Sequence, residues 1–273
     1  MRLPRTPLSV LRIELREARD AADLDSLLRR LDGDGRAGAL ELAARARARL
    51  ERDRLERERI RGLLAYRDAL EARGVRGIAG VDEVGVGPLA GPVVAAAVVL
   101  PERPSLPGLD DSKRLTPARR ETLAAEIHGN ARGVGLAEVG VETIDQVGIH
   151  QASLEAMRRA VASLSRVVEL GHLLIDARTV PGALFPQTSI IKGDSKDASI
   201  AAASIVAKVH RDALMKKLGH RHPGYGFDRH MGYGTAEHLA ALARLGPCPI
   251  HRRSFAPVAR AARGLAHASR ARA

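Results

Sequence analysis

Two acids side by side, Asp82 and Glu83, end an apolar run and are followed by glycines: Gly77-Ile-Ala-Gly-Val-Asp-Glu-Val-Gly-Val-Gly-Pro-Leu-Ala-Gly-Pro92. Alternation predicts a strand over residues 77–84, stopped by the Gly/Pro cluster. Neighbouring side chains on a strand point to opposite faces, so strand geometry alone does not make the two carboxylates a flat pair. One sits at the strand end beside a groove while the other reaches over the turn, an arrangement suited to Mg2+ or Mn2+, which take carboxylates and waters. Asp176 and Asp194 also lie at or just past short apolar runs, Leu173-Leu-Ile175 and Ser189-Ile-Ile191. Four acids at strand ends beside basic motifs fit phosphodiester hydrolysis with two cations, and such carboxylates must stay ionised.

Singly, these residues are ambiguous. Asp82 and Glu83 alone read as a solvated strand end, Asp176 as an N-cap or surface acid, Asp194 as the cap of the following helix, Lys192 as a loop lysine and Tyr233 as a turn aromatic. Asp111 and Asp212 read as structural, and Cys248 as a packing residue rather than a nucleophile. His222, His230 and His251 follow no zinc spacing and read as solvated or substrate-side.

The elements that must position the four acids follow from pattern. Beyond the first strand, 93–100 reads as a buried strand, and Thr116-Pro117 as an N-cap with Pro at the first helical position of a helix ending near Gly129. Residues 132–141 alternate as a third strand, a helix covers 149–164, and two short strands end at Asp176 and before Asp194. Residues 198–218 form an Ala-rich helix whose Ala201, Ala202, Ala203 and Ser204 allow close packing on a sheet; another helix covers 235–245. Interleaved strands and helices predict an α/β fold with a mixed sheet, in which strand ends gather ligands. Residues 1–73 carry 18 arginines, 14 acids and no lysine, with Leu24, Leu27, Leu28 and Leu31 at helical spacing. They read as a charged helical extension, broken at 32–35, ahead of a catalytic domain over 74–257. Residues 258–273 read as a basic, frayed tail.

Composition narrows the partner. The 273 residues carry a formal net charge of +12, a field that favours nucleic acid first and an anionic membrane second. No run reaches a membrane span, no signal-peptide core begins the chain, and a single cysteine fits a reducing cytoplasm. With six aromatic residues and no tryptophan, binding of single strands by stacked aromatics is disfavoured. Three of the six, Tyr225, Phe227 and Tyr233, fall within nine residues. Only six lysines accompany 38 arginines; four of the six are Lys113, Lys192, Lys196 and Lys208.

The ordered set comprising Gly80 through Leu100, Asp111-Ser-Lys-Arg-Leu-Thr116, Leu174-Ile-Asp176, Ile190-Ile-Lys-Gly-Asp194, Ile200-Ala-Ala-Ala-Ser-Ile-Val-Ala-Lys208, Arg211-Asp212, Gly232-Tyr-Gly-Thr235 and His251-Arg-Arg-Ser-Phe255 resembles bacterial ribonuclease HII over about 76–257. The resemblance implies a ribonuclease H-like fold: a mixed five-stranded sheet flanked by helices, here with a helical N-terminal extension and a helical C-terminal part. It implies hydrolysis of the RNA strand of RNA–DNA hybrids and cleavage 5′ of single ribonucleotides in duplex DNA, leaving a 3′-hydroxyl and a 5′-phosphate. Asp82, Glu83 and Asp176 match its metal ligands, Asp194 its fourth acid, Tyr233 its sugar-stacking tyrosine, and Ser112 and Lys113 its phosphate-contacting pair. Mn2+ or Mg2+, two ions, are the implied cofactors; Lys192 and the Gly85-Val86-Gly87 loop fall on the substrate side. A monomer is the default expectation, and a sliding-clamp partner is left open.

The loop departs from the family, which carries Arg or Lys where this chain has Val86; Gly148 and Asp197 also differ from the usual Asn and Ser. A non-catalytic duplex-binding protein is the reading from another class, and clustered acids oppose it because bare carboxylates repel phosphates. The sister ribonuclease HIII family carries a strand-rich N-terminal domain, at odds with helical residues 1–73. Restoring a basic side chain by Val86→Arg is expected to lower the Michaelis constant for a ribonucleotide-containing duplex; equal constants in steady-state kinetics would remove this expectation.

Overall fold

The computed structural model describes residues 6–18, 21–102, 104, 106–110 and 112–270; Asp111 therefore lies outside the described residues. The chain divides into two compact units, Met1–Arg61 and Gly62–Ala273. In the first unit, helices α1 (Leu8–Glu17), α2 (Ala21–Asp34) and the first turns of α3 (Ala37–Glu71) bury Leu11, Leu28, Leu31, Ala39 and Ala43. The expected break between helices falls at Gly35, whose φ of +69° suits a residue just past a helix end. The boundary between the two units falls within α3, whose segment 51–59 is almost wholly charged and mostly exposed.

In the second unit the strands are β1 (Ile78–Val84), β2 (Val93–Val99), β3 (Gly133–Val139), β4 (His172–Asp176) and β5 (Gln187–Ile190), in the order β3-β2-β1-β4-β5. β1 pairs antiparallel with β2 and parallel with β4, so Asp82 and Asp176 come from neighbouring strands. The helices are α4 (Pro117–Asn130), α5 (Val141–Leu164), α6 (Ala198–Arg221), α7 (Phe227–His230), α8 (Ala236–Leu245) and α9 (Ala256–Arg270). The Thr116 side chain caps α4 through the Arg119 N–H, with Pro117 at the first position. Gly148 breaks α5 at φ +80° and ψ +155°, a conformation open essentially to glycine alone.

The two sheet faces are covered differently. α5 closes one over Ala79, Val81, Ala95, Ala97, Leu173 and Ile175. α6 lies on the other, where Ile78, Leu174, Ile190 and Ile200 pack together. Alternation along β1 sends its apolar residues both ways, which a doubly covered strand requires. α6 approaches β1 so closely that a Cβ on Gly80 would overlap the Ser199 and Ile200 backbone.

The C-terminal part is built around Phe227, with Tyr225, Met215 and Ala241. Of the three clustered aromatics, Tyr225 and Phe227 are core residues and only Tyr233 is exposed. His230 and His251, expected at the solvent or substrate side, are buried together with His238. Their hydrogen bonds fix each tautomer. The Cys248 N–H donates to His251 Nδ1 (3.0 Å), leaving the proton on Nε2 to donate to His238 Nε2 (3.0 Å). His238 then donates from Nδ1 to the Tyr233 carbonyl (2.9 Å). The Gly232 N–H donates to His230 Nδ1 (3.2 Å), and His230 Nε2 donates to the Tyr225 carbonyl (2.7 Å). The presumed tail also differs from expectation. Val258 is buried with Leu89 and Leu242, and residues 256–270 form the helix α9. Among the described residues no helix is long and apolar enough to cross a membrane.

Two outcomes follow from this packing. Gly80→Ala is expected to cost at least about 2 kcal/mol, because backbone atoms cannot yield as a side chain does. Gly129→Ala, with nothing within 4 Å, is expected to be neutral or better; a denaturant midpoint unchanged by Gly80→Ala would contradict the packing. Burial, with His238 next, pushes His251 down to about 4. Between pH 6.5 and that value the unfolded chain takes up a proton that the folded one refuses, so its contribution to stability is lost as pH falls, at up to about 1.4 kcal/mol per pH unit. His251→Gln is expected to flatten that slope; identical slopes in pH-dependent denaturation would refute it.

Candidate active site

Asp82 sits late in β1 and is only 5% exposed. Its Oδ1 accepts from the Glu83 N–H (2.8 Å), and the Ser204 hydroxyl of α6 bonds the same carboxylate. Burial pushes its pKa well above the ordinary carboxylate range, and the charges of Glu83 and Asp176 add to the rise. Glu83 points to the other side of the strand and is raised mainly by burial; the Arg178 guanidinium, with Nε 3.2 Å from Glu83 Oε1, opposes the rise. Asp176 closes β4 beside them. Burial raises its pKa as well, the Gly193 N–H bond to Oδ1 (2.7 Å) pulls the other way, and Asp194 raises it further.

Asp194 lies in the short 3-10 turn Gly193–Ser195 after β5 and is buried. Lys113 reaches it from the loop before α4, with Nζ 3.0 Å from Oδ2. Asp194 does not cap α6. That role belongs to Asp197, whose Oδ1 accepts from the Ser199 (2.8 Å) and Ile200 (3.1 Å) N–H groups. Asp197 is fully buried and pushed up to about 6, chiefly by desolvation. The acid that departs from the family pattern thus serves the helix end. Asp212 is paired, to Lys208 (2.8 Å) and at 4.0 Å to Arg120.

The substrate-side candidates are distributed around these acids. Ser112 is buried, its hydroxyl 3.0 Å from that of Ser204, and so touches the Asp82 environment through one intermediate. Gly85 takes φ +92° at the turn after the acid pair, and a Cβ there would overlap the Arg211 side chain. The Val86 side chain packs against the main core, while Gly87 is exposed next to the Tyr233 ring. The Tyr233 ring is 41% exposed, and its backbone is held by the histidine chain. Lys192 is exposed and left-handed (φ +58°); its carbonyl accepts the Ser195 hydroxyl (2.9 Å).

Pattern reading gave no individual role to Arg178 or His238, and met Arg252 only within the His251–Phe255 motif. Arg178 follows Ala177, whose φ of +49° is uncommon for a residue with a side chain; Asp176-Ala-Arg178 gives no hint of that turn. Ser204 was flagged for its small size, not its hydroxyl.

The donor set is oxygen-only: carboxylates from neighbouring strands, Asp82 buried and Asp176 half-buried, the charge of Asp176 raising the pKa of Asp82. That chemistry fits a hard divalent cation, which favours the ionised acids. Among the described residues no three His, Cys, Asp or Glu side chains stand close enough to form a ready ligand group. The counter-charges come instead from Arg178 on Glu83 and Lys113 on Asp194.

Comparison with known proteins agrees with this geometry. The sequence profile of Ribonuclease HII matches residues 79–258. The ribonuclease HII of Geobacillus thermodenitrificans is 52% identical over 247 residues, covering 86% of this chain and 94% of that protein. The crystal structure of ribonuclease H2 from Pyrococcus horikoshii superposes with a TM-score of 0.61 at 26% identity, over 69% of this chain and 98% of the other. The fold is shared also with Bst-RNase HIII solved with Mn2+, at a TM-score of 0.56 and 21% identity, over 71% of this chain and 70% of the other. With strand-end acids, a mixed five-stranded sheet and a profile match across the second unit, the chain belongs to the ribonuclease HII family, endonucleases that act on the RNA strand of RNA–DNA hybrids.

Proposed function

We propose that this chain also cuts duplex DNA on the 5′ side of a single embedded ribonucleotide, with two divalent cations, Mn2+ or Mg2+, held by Asp82, Glu83, Asp176 and Asp194. The observation that carries this is the set of desolvated carboxylates at the ends of β1 and β4, with Glu83 and Asp176 both raising the pKa of Asp82. A structural surface does not need such acids, and a phosphate would avoid them without an intervening cation. Bound cations would neutralise charge on the attacking and leaving oxygens and ease deprotonation of water. Bst-RNase HIII, which shares the fold, was solved with Mn2+.

The chain's own residues have the remaining tasks. Water oxygen bonds to phosphorus and the bond to the upstream 3′ oxygen breaks, leaving a 3′-hydroxyl and a 5′-phosphate on the ribonucleotide. Asp82 is held in place by Ser204 and the Glu83 N–H, and Asp176 by the Gly193 N–H. Lys113, anchored on Asp194 with most of its side chain exposed, is placed to meet a phosphate; Ser112 supports the acids from behind through Ser204, and Lys192 adds charge at the rim. Tyr233 stacks on the sugar next to the ribonucleotide, and the 85–87 loop meets the 2′-hydroxyl, the group by which RNA differs from DNA at one nucleotide. The net charge of +12 adds salt-sensitive affinity.

Cleavage mapping on a duplex with one ribonucleotide, in Mn2+ and in Mg2+, is expected to give one cut 5′ of the ribonucleotide. Asp82→Asn is expected to lose more than the roughly 10–100-fold typical of an outer-sphere partner. A wild-type protein that leaves this duplex intact while cutting a hybrid, or an Asp82→Asn variant as active as wild type, would overturn the proposal.

A further inference from the structure

The 85–87 loop lacks the basic side chain usual in its family, yet a buried positive charge lies directly behind it. Arg252 is fully buried. Its Nη2 donates to the Gly85 carbonyl (2.6 Å), Nη1 to that of Val86 (2.9 Å) and Nε to that of Gly91 (3.0 Å). Arg211, also fully buried, donates to the carbonyls of Pro92 (3.0 Å), Met231 (3.0 Å) and Ala90 (3.2 Å). Among the described residues neither guanidinium forms an ion pair with a carboxylate, and the six acceptors are all backbone. Taking two such charges out of water is costly when neutral residues could fill the space, so packing alone is a weak reason for them.

Peptide geometry shows what Arg252 does to the loop. In a planar trans peptide the C=O and the next N–H point in opposite directions. With the Gly85 and Val86 carbonyls turned inward to Arg252, the N–H groups of Val86 and Gly87 must point away from it. Among the described residues neither N–H has a hydrogen-bond partner. Two successive outward N–H groups form a concavity suited to an anion, and the guanidinium behind them reinforces their dipoles. The Val86 side chain is packed on the core, so the face left for a ligand is backbone.

We propose that Arg252 is the positioning residue of the 85–87 loop, assisted by Arg211: it orients the Val86 and Gly87 N–H groups onto one phosphate beside the ribonucleotide and supplies from behind the positive charge that Val86 lacks. This rests on the cleavage reading above and adds to it the residue that prepares the loop. Burial pushes Arg252 down to about 9, which leaves it protonated at neutral pH.

The test is equilibrium binding of the full-length protein to one-ribonucleotide duplexes in which single phosphates around the ribonucleotide are replaced by neutral methylphosphonates. Wild type is expected to lose about tenfold or more at one linkage, the range for hydrogen bonds to a charged group. Arg252→Gln is expected to weaken binding of the unmodified duplex by a similar factor, raise KM with kcat within about threefold, and show no further loss at that linkage. Arg252→Lys, which keeps the charge and loses the fork, should fall between. Equal methylphosphonate sensitivity in wild type and Arg252→Gln overturns the inference. Should both variants fail to fold, as judged by circular dichroism, the wild-type scan decides: a flat scan in a protein that cleaves the unmodified duplex overturns it. Failure of wild type to cleave that duplex would count against the cleavage reading instead.

Discussion

Carboxylates removed from water and set close together constrain everything else in the second unit. Asp82 is buried on β1, Glu83 follows it, and Asp176 ends the parallel neighbour β4. Desolvation raises the cost of ionising all three; the charge of Asp176 adds to it at Asp82 and Glu83, and that of Glu83 at Asp82. The surroundings answer with directed donors: the Ser204 hydroxyl, the Gly193 and Glu83 N–H groups, Arg178 and Lys113. Those donors come from α6, the turn after β5, the segment after β4 and the loop before α4. The order of strands and the close seat of α6 at Gly80 are therefore conditions for the acid cluster as much as for the core.

A second arrangement, of opposite sign, prepares the neighbouring surface. Two buried guanidinium groups collect backbone carbonyls, and a line of neutral imidazoles ends on the Tyr233 carbonyl. Negative charge is concentrated where cations are proposed to bind, and positive charge lies behind a backbone surface where a phosphate is proposed to rest. The separation is possible because neither group relies on the other as its direct partner.

Much of this was legible in the sequence, for physical reasons. β1 announces itself by alternation and a glycine stop, α4 by Thr116 and Pro117, and α6 by its alanines, since each signal depends on a few adjacent residues. The acids could be placed at strand ends because strands are short and their ends are marked. Arg252 and His238 were not legible in the same way. Arg252 binds Gly85 and Val86 through their carbonyls, which every residue type possesses, so no side-chain pattern reports the contact. The burial of His230 and His251 depends on packing around Phe227, which polarity alone misjudged. The helical end of the chain reads as a tail because its charge is conspicuous and its buried Val258 is not.

The ion pairs of Glu83 with Arg178 and of Asp194 with Lys113 bear on how a cation arrives. Many small metal-dependent domains assemble only around their ion, since bare ligands cannot be gathered without it. Here the polypeptide provides counterions of its own to Glu83 and Asp194, so that at the proposed cation site loading would be an exchange in which two cationic side chains are displaced. Such an exchange would trade some tightness of binding for reversibility, and would release a lysine and an arginine at the moment a polyanion is engaged.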